Sequence, residues 1–217
     1  MSLWAALGEL LPGARARGVQ VAEFTAAWAR SNEAALAGDG PLWIVLGDSG
    51  AAAIGASAID RGYVGRVLAR LRAECDPGWR VVNLGRSGVR TVDIVQEQLP
   101  RLAELPPATL VSCSVGMNDV LRGSLRASPA ALEAIAAAMP PGSIMATMPR
   151  GMFDLRSRQL NAPIRAAAAR HGHRIADLWA TTGPPWHGHL SGDWFHPNDR
   201  GYEDWAKAFT RVLAPDL

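Results

Sequence analysis

The apolar residues of this chain fall into short clusters, separated by longer segments in which apolar residues recur at helical spacing. The clusters lie near residues 42–46, 80–84, 109–115, 143–147 and 173–178, and the first of them is an uninterrupted apolar run. An apolar run without polar alternation is typical of a parallel strand that is buried on both faces. The segments between the clusters predict helices near residues 59–73, 91–103, 129–138, 155–171 and 199–213. The pattern therefore predicts five strands that alternate with helices.

This alternation also predicts an architecture. Strands joined by helices form right-handed βαβ units, which give a parallel sheet with helices on both faces. Five strands over about 180 residues predict a flavodoxin-like, three-layer α/β/α sandwich. An amphipathic helix over residues 19–37 precedes the first strand, and the Gly-Asp-Gly-Pro sequence at 38–41 ends it. We therefore expect a helical extension over residues 1–40, packed on a single domain over residues 41–217.

Composition narrows the class of protein. With 48% apolar and 19% charged residues, the 217-residue chain has the make-up of an ordinary globular protein. The 22 basic and 20 acidic residues leave a net charge of +2, and no basic cluster suggests a nucleic-acid partner. No apolar run approaches the ~18 residues of a membrane span, and the first residues lack the basic leader of a signal peptide.

The two cysteines indicate the redox state of the cellular compartment in which the protein is expected. Cys75 and Cys113 do not make a disulfide framework, and Cys113 lies in an apolar run that predicts a buried thiol. A reducing compartment and a cytoplasmic location are therefore expected.

Ligands of open parallel sheets bind beyond the carboxyl ends of the strands. The loops that follow the five predicted strands cover residues 47–58, 85–90, 116–127, 148–154 and 179–198. These loops are where candidate chemistry should be sought.

The first of these loops carries Ser49, in the sequence Gly47-Asp48-Ser49-Gly50. A serine directly after a buried strand lies at the mouth of such a site, and Asp48 should help to shape the turn. Ser between Asp and Gly is also common turn chemistry, so this loop alone does not establish catalysis.

The second and third loops offer hydrogen-bond donors. The second reads Asn83-Leu-Gly-Arg-Ser-Gly88, and its glycines allow backbone N–H groups to approach a ligand. The third reads Gly116-Met-Asn118-Asp119, in which the Asn118 amide could face a developing oxyanion. Each loop is equally well explained as an ordinary turn.

The last loop contains Asp193-Trp-Phe-His196-Pro197. A carboxylate three residues before an imidazole can hold its Nδ1–H and leave Nε2 free towards a hydroxyl group. A histidine exposed at the surface is the simpler alternative. Asn198 or Asp199 is expected to cap the final helix.

The four blocks become informative together, because one fold would bring them to neighbouring strand ends. Their order and spacing resemble the four sequence blocks of the SGNH (GDSL) hydrolases, over residues 47–197. The resemblance implies that Ser49 is the nucleophile, that His196 is the general base and that Asp193 orients it. It also implies an oxyanion hole formed by the Ser49 and Gly88 backbone N–H groups and the Asn118 side chain. Family members often carry Leu after the serine, so Gly50 is a departure that would leave the backbone there more mobile.

The function implied is that of a serine esterase or lipase-type hydrolase that cleaves carboxylic ester or thioester bonds through an acyl-enzyme. An acyltransferase that passes the acyl group to a sugar or another alcohol would use the same residues and stays open. The expected partner is a small-molecule ester or thioester, without a cofactor, and the sequence does not determine the oligomeric state.

Further residues could shape the substrate. Arg86, Arg90 and Arg122 lie in or beside the site loops, and could either face an anionic substrate or serve structural roles. Residues 179–190 and the aromatic pair Trp194 and Phe195 could line the pocket, or pack against the edge of the sheet.

Three other interpretations of the sequence remain beside that of an SGNH-like hydrolase. The α/β-hydrolases place their serine in G-x-S-x-G, whereas Ala51 stands at the last position here. The pairs His171-Gly-His173 and His187-Gly-His189 could ligate zinc, but no third ligand has a convincing spacing, and we expect no metal. A flavodoxin-like binding module without catalysis would have to explain why the four blocks fall at strand ends.

Overall fold

The computed structural model describes residues 12–122, 125–151 and 153–213. Within them lies one five-stranded sheet in the order β2-β1-β3-β4-β5, in which all neighbouring strands are parallel. The strands are β1 (Leu42–Gly47), β2 (Arg80–Asn83), β3 (Leu110–Ser114), β4 (Ile144–Ala146) and β5 (Arg174–Ala176).

Helices connect the strands and precede the first of them. They are α1 (Pro12–Ala37), α2 (Tyr63–Glu74), α3 (Thr91–Asp93), α4 (Leu99–Glu104), α5 (Met117–Arg122), α6 (Ser128–Ala138), α7 (Asp154–Arg170), α8 (Leu178–Thr181) and α9 (Asp199–Leu213). A short 3-10 helix (Ile59–Arg61) precedes α2, and a π-helix (Ile94–Gln98) joins α3 to α4.

Strand β1 shows why its residues form the centre of the sheet. All six residues are buried, and alternate side chains enter two different core clusters. Trp43 and Val45 belong to a cluster that includes residues of α2 and α9, whereas Ile44 and Leu46 belong to one that includes residues of α6 and α7. Helices therefore cover both faces, and the three-layer α/β/α fold expected from the sequence is confirmed.

Helix α1 packs against the edge strand β2. The indole of Trp28 is buried, and its Nε1 donates to the Ala52 carbonyl at 3.2 Å. The Asn32 amide accepts from the Asn83 N–H at 2.8 Å and donates to the Asn83 carbonyl at 2.9 Å. The helix begins earlier than the sequence pattern predicts, residues 1–11 lie outside the described part of the chain, and the domain boundary at residue 40 stays a prediction.

The structure also contains short helices that the apolar pattern does not predict. Helix α5 begins directly after Gly116, in a segment expected to be a loop, and α8 follows the last strand. Helices of four to six residues have too few turns to display a periodic apolar stripe, so local sequence does not reveal them. The longer helices and all five strands lie close to their predicted positions.

None of the helices in the described ranges is both long and apolar enough to cross a membrane. Cys113 is buried, as its apolar run predicts, and Cys75 is exposed. The cytoplasmic location stays a prediction.

Candidate active site

Ser49, His196 and Asp193 lie together at the carboxyl ends of the strands. The Ser49 Oγ is 3.0 Å from His196 Nε2, and His196 Nδ1 is 2.6 Å from Asp193 Oδ2. Ser49 and His196 are each 6% exposed. Residues from two distant parts of the sequence thus form one chain of hydrogen bonds, in the order hydroxyl, imidazole, carboxylate.

The acid–base loop (residues 189–198) fixes the Asp193 carboxylate. Its Oδ1 accepts the backbone N–H groups of Phe195 and His196, both at 2.9 Å, and the Ser191 hydroxyl at 2.8 Å. Burial raises the pKa of Asp193, but the hydrogen bonds from the His196 side chain and from the His196 and Phe195 backbone outweigh it. The net effect lowers the pKa of Asp193 far below its usual range, so this residue is a carboxylate at neutral pH. The loop meets α9 at Asn198, whose Oδ1 accepts from the Arg200 and Gly201 N–H groups as an N-cap.

The nucleophile loop (residues 47–56) is held from several sides. The Gln98 amide pairs with both backbone groups of Gly47, accepting from its N–H and donating to its carbonyl at 2.9 Å each. The Ser49 carbonyl accepts from the Ile54 N–H at 3.0 Å, which closes the turn behind the serine. The π-helix before α4 is the element that carries Gln98 to this position.

Gly50, the departure from the family pattern, lies against an indole ring. A Cβ placed on Gly50 would be 2.7 Å from the Trp205 ring, too close for any side chain. Trp205 of α9 therefore occupies the space beside the serine that a larger residue would need.

Asp48 is a second buried carboxyl group in the site. Its Oδ1 accepts the Gly50 N–H at 2.9 Å, yet the residue is only 4% exposed. Burial raises the pKa of Asp48 to about 6, against the opposing effect of the Gly50 N–H, the charge of His196 and the Gly116 N–H. Asp48 thus shapes the turn as expected, in a charge state that varies near neutral pH.

The expected oxyanion donors lie on the next two strand ends. Gly88 has a φ of +85°, a conformation that favours glycine and that turns the chain after β2. Within the described residues, the backbone N–H groups of Ser49 and Gly88 donate to no protein acceptor. The Asn118 amide donates one hydrogen to the Val89 carbonyl at 2.9 Å, which leaves its second hydrogen available.

Asp119 connects the two loops that carry these donors. Its buried carboxylate accepts the Thr91 N–H at 3.0 Å, the Thr91 hydroxyl at 2.8 Å and the Ser128 hydroxyl at 2.9 Å. Asp119 stands beside Asn118 in the third sequence block, and the sequence pattern predicts no role for it. Adjacency to Asn118 was the only signal available.

A cavity of about 520 Å³ opens onto Ser49 and His196. Its apolar lining includes Met117, Phe153, Trp186, Leu190, Trp194, Phe195 and Trp205. The aromatic residues of the acid–base loop therefore line the pocket, whereas Pro184 and Pro185 are not part of its wall. Arg150 also lines it, with its guanidinium 5.3 Å from the Trp179 ring centroid.

Other candidates from the sequence have different partners. Arg86 pairs with Glu97, and Arg90 pairs with Asp93, which favours structural roles for both arginines. His171 contacts Glu133, and His189 contacts Asp204. No group of three or more potential metal ligands occurs in the part of the chain that the structure describes.

Comparisons with known proteins identify the family of the chain. The model of the GDSL-like Lipase/Acylhydrolase family matches residues 45–203, which confirms the resemblance seen in the four blocks. No curated protein matches the sequence.

Solved structures share the fold. TesA is similar with a TM-score of 0.70 and 24% identity, over 81% of this chain and 99% of its own. Axe2, an acetylxylan esterase from Geobacillus stearothermophilus, is similar with a TM-score of 0.69 and 24% identity, over 82% of this chain and 96% of its own. The psychrotrophic esterase EstA from Pseudoalteromonas sp. is similar with a TM-score of 0.66 and 19% identity, over 82% of this chain and 99% of its own.

Proposed function

The chain belongs to the GDSL-like lipase/acylhydrolase family and is an ester-hydrolysing enzyme, and we propose that it cleaves carboxylic ester or thioester bonds through an acyl-enzyme on Ser49. The observation that supports this most directly is the hydrogen-bond chain from the Ser49 hydroxyl through His196 to Asp193. A serine hydroxyl is a weak nucleophile until a neighbouring base takes its proton, and this geometry provides that base.

In the first half-reaction, Ser49 Oγ attacks the carbonyl carbon of the ester while His196 Nε2 accepts the hydroxyl proton. The carbonyl oxygen becomes an oxyanion, which the N–H groups of Ser49 and Gly88 and the Asn118 amide would stabilise. The bond to the leaving group then breaks, and His196 returns the proton to the departing alcohol or thiol. The acyl group is left as an ester on Ser49.

In the second half-reaction, water attacks the acyl carbon and gives a proton to His196 Nε2. The second tetrahedral intermediate collapses with cleavage of the bond to Ser49 Oγ, which regains its proton from the imidazolium. Asp193 keeps its negative charge throughout and stabilises the imidazolium that forms in each half. Transfer of the acyl group to a sugar or another alcohol would replace only the water, and it stays a prediction.

The cavity supports an aliphatic acyl chain longer than acetyl. Its wall beside Ser49 is built mainly from aromatic and aliphatic side chains, and burying each CH₂ group of a ligand contributes about 0.8 kcal/mol. With p-nitrophenyl esters of increasing chain length, kcat/KM should rise by up to about fourfold per CH₂ until the cavity is filled. A series that is fastest with acetate would contradict this substrate class.

Ser49→Ala tests the nucleophile in the same assay. We expect kcat to fall by at least about 10⁴-fold with every ester, because no other group can form the acyl-enzyme. The matched control is Ser143→Ala, which removes a hydroxyl that bonds only the Pro140 carbonyl, at the amino end of β4. Turnover by Ser49→Ala at the wild-type rate would exclude the proposed mechanism.

A phosphonate ester provides an independent readout. The esterase EstA is inhibited by monoethylphosphonate, and we expect a reactive phosphonate to modify Ser49 Oγ of this enzyme. Mass spectrometry of the peptide that contains Ser49 detects the adduct. An adduct at another residue, formed equally in Ser49→Ala, would contradict the assignment.

A further inference from the structure

Helix α1 contacts both loops that carry the proposed triad. Gln20 accepts from the Gly55 N–H at 3.0 Å and donates to the Ala56 carbonyl at 2.8 Å. Together with Trp28 it therefore holds the nucleophile loop. On the same face of the helix, Arg17 Nε lies 3.0 Å from Asp193 Oδ2 in the acid–base loop. The family match begins only at residue 45, so this helix lies outside it.

We propose that Arg17 is a positioning residue of the active site, whose charge lies against the Asp193 carboxylate and thereby affects how that carboxylate orients His196 and stabilises the imidazolium. This inference rests on the proposed function. It adds a residue from the N-terminal extension to a mechanism that otherwise needs only the domain that follows it.

The contact between Arg17 and Asp193 involves the same carboxylate oxygen that bonds His196. Asp193 Oδ2 accepts from His196 Nδ1 and also faces the Arg17 guanidinium. A cation at that oxygen offsets part of the negative charge that would stabilise a protonated imidazole. Removing Arg17 should therefore strengthen the stabilisation that Asp193 gives to the imidazolium, and activity at low pH should fall. The Asp193 side chain is 8% exposed and that of Arg17 is 38% exposed, so solvent screens the interaction only in part.

Other ionisable groups also face this pair. Asp48, after β1, lies close enough for the charge of His196 to affect its pKa, and Asp193 contributes to the raised pKa of Tyr202 on α9. His189 and Asp204 line the same cavity and pair with each other. A change at Arg17 leaves all four side chains in place, so a difference in pH dependence between variants reports on Arg17.

The test compares Arg17→Gln with the wild type in kcat and KM across pH. We expect kcat to fall about fivefold at neutral pH, with KM within twofold, because the substrate cavity does not include Arg17. The acidic limb of the kcat/KM profile should move to higher pH by about half a unit, because Asp193 without a neighbouring cation favours the imidazolium more strongly. Loss of packing alone would lower activity without moving that limb.

Two further variants make the result specific. Arg17→Lys keeps a cation near Asp193 and should restore the wild-type position of the acidic limb. Arg30→Gln, at an exposed arginine on the same helix, should behave as the wild type in both rate and profile. An acidic limb that stays in place in Arg17→Gln, or that moves equally in Arg17→Lys, would overturn the proposal.

The Ser49→Ala variant separates this inference from the function on which it rests. If Ser49→Ala is inactive and Arg17→Gln has the wild-type profile, Arg17 alone is wrongly assigned and the proposed function stands. If Ser49→Ala retains full activity, the nucleophile is wrongly assigned, and the role of Arg17 fails with it.

Discussion

The nucleophile loop and the acid–base loop each bury an aspartate beside His196, with opposite electrostatic results. Asp48 is 4% exposed, and burial raises its pKa to about 6. The Asp193 side chain is 8% exposed, and its pKa is lowered although burial acts in the raising direction there too. The difference lies in the donors: the His196 imidazole and the backbone N–H groups of His196 and Phe195 all bond the Asp193 carboxylate.

The comparison shows that burial alone does not decide the charge of a carboxyl group. The number and orientation of donors decide it, and those depend on the loop that carries the residue. Asp193 is therefore suited to stabilise an imidazolium, whereas Asp48 is suited to shape a turn. Changing either residue should affect a different property of the enzyme.

The largest effect is expected from Asp193→Asn. An amide in place of the carboxylate cannot stabilise the imidazolium and favours the wrong tautomer of His196, so kcat should fall by about 10⁴-fold. Steady-state kinetics with a p-nitrophenyl ester measure the loss, and the thermal unfolding midpoint checks that the fold persists. A fall of less than tenfold would mean that His196 does not depend on this loop for its charge.

A smaller effect is expected at the oxyanion donors, which neither loop supplies alone. Asn118→Ala should lower kcat by about 10²–10³-fold with little change in KM, because the donor acts mainly on the transition state. The same kinetic assay separates the two parameters. If kcat is unchanged, Asn118 has only its structural bond to the Val89 carbonyl.

The smallest effect is expected from Asp48→Asn, and it concerns stability. Because the pKa of Asp48 is raised on folding, protonation favours the native state, fully below about pH 4 and no longer above about pH 6. A neutral amide should therefore raise the free energy of unfolding by up to about 3 kcal/mol at pH 8, and by little at pH 4. Denaturant unfolding of both proteins at the two pH values measures this difference.

The control for that experiment is Asp39→Asn, at an exposed position before β1. It should change the free energy of unfolding little at either pH. A gain in Asp48→Asn that is the same at pH 4 and pH 8 would show that the carboxyl charge is not its cause.

The sequence was sufficient for the fold and for the grouping of the site residues. Apolar segments that alternate with predicted helices indicated five parallel strands. In a parallel sheet the four sequence blocks then fall at the same edge. The spacing of Asp193 and His196 even predicted which imidazole nitrogen each partner would take. These inferences succeeded because they depend on short-range periodicity and on strand ends, both of which are local properties of a chain.

Contacts made by residues that do not lie at the carboxyl ends of the strands could not be predicted in this way. Arg17 reads as one more charged residue on a helix, and nothing in its neighbourhood indicates Asp193 as its partner. Gln98 likewise gains its role only because a π-helix turns it towards Gly47. Helix α5 is too short to show a period. Each depends on how separate elements pack, which a periodic pattern does not encode.

The side-chain amides that pair with backbone groups have a consequence for association between chains. The side-chain amide of Asn32 hydrogen-bonds both the N–H and the carbonyl of Asn83. Gln98 does the same with Gly47, and Asn161 with Met148 after β4. Free N–H and C=O groups on an edge strand form a template on which a strand of another molecule can add. A side-chain amide suits such a pair of groups, because it can donate and accept at once, whereas a carboxylate has no hydrogen to offer. Asn83 lies on the edge strand β2, so Asn32 of α1 covers there a pair of backbone groups to which a strand of another molecule could otherwise bind.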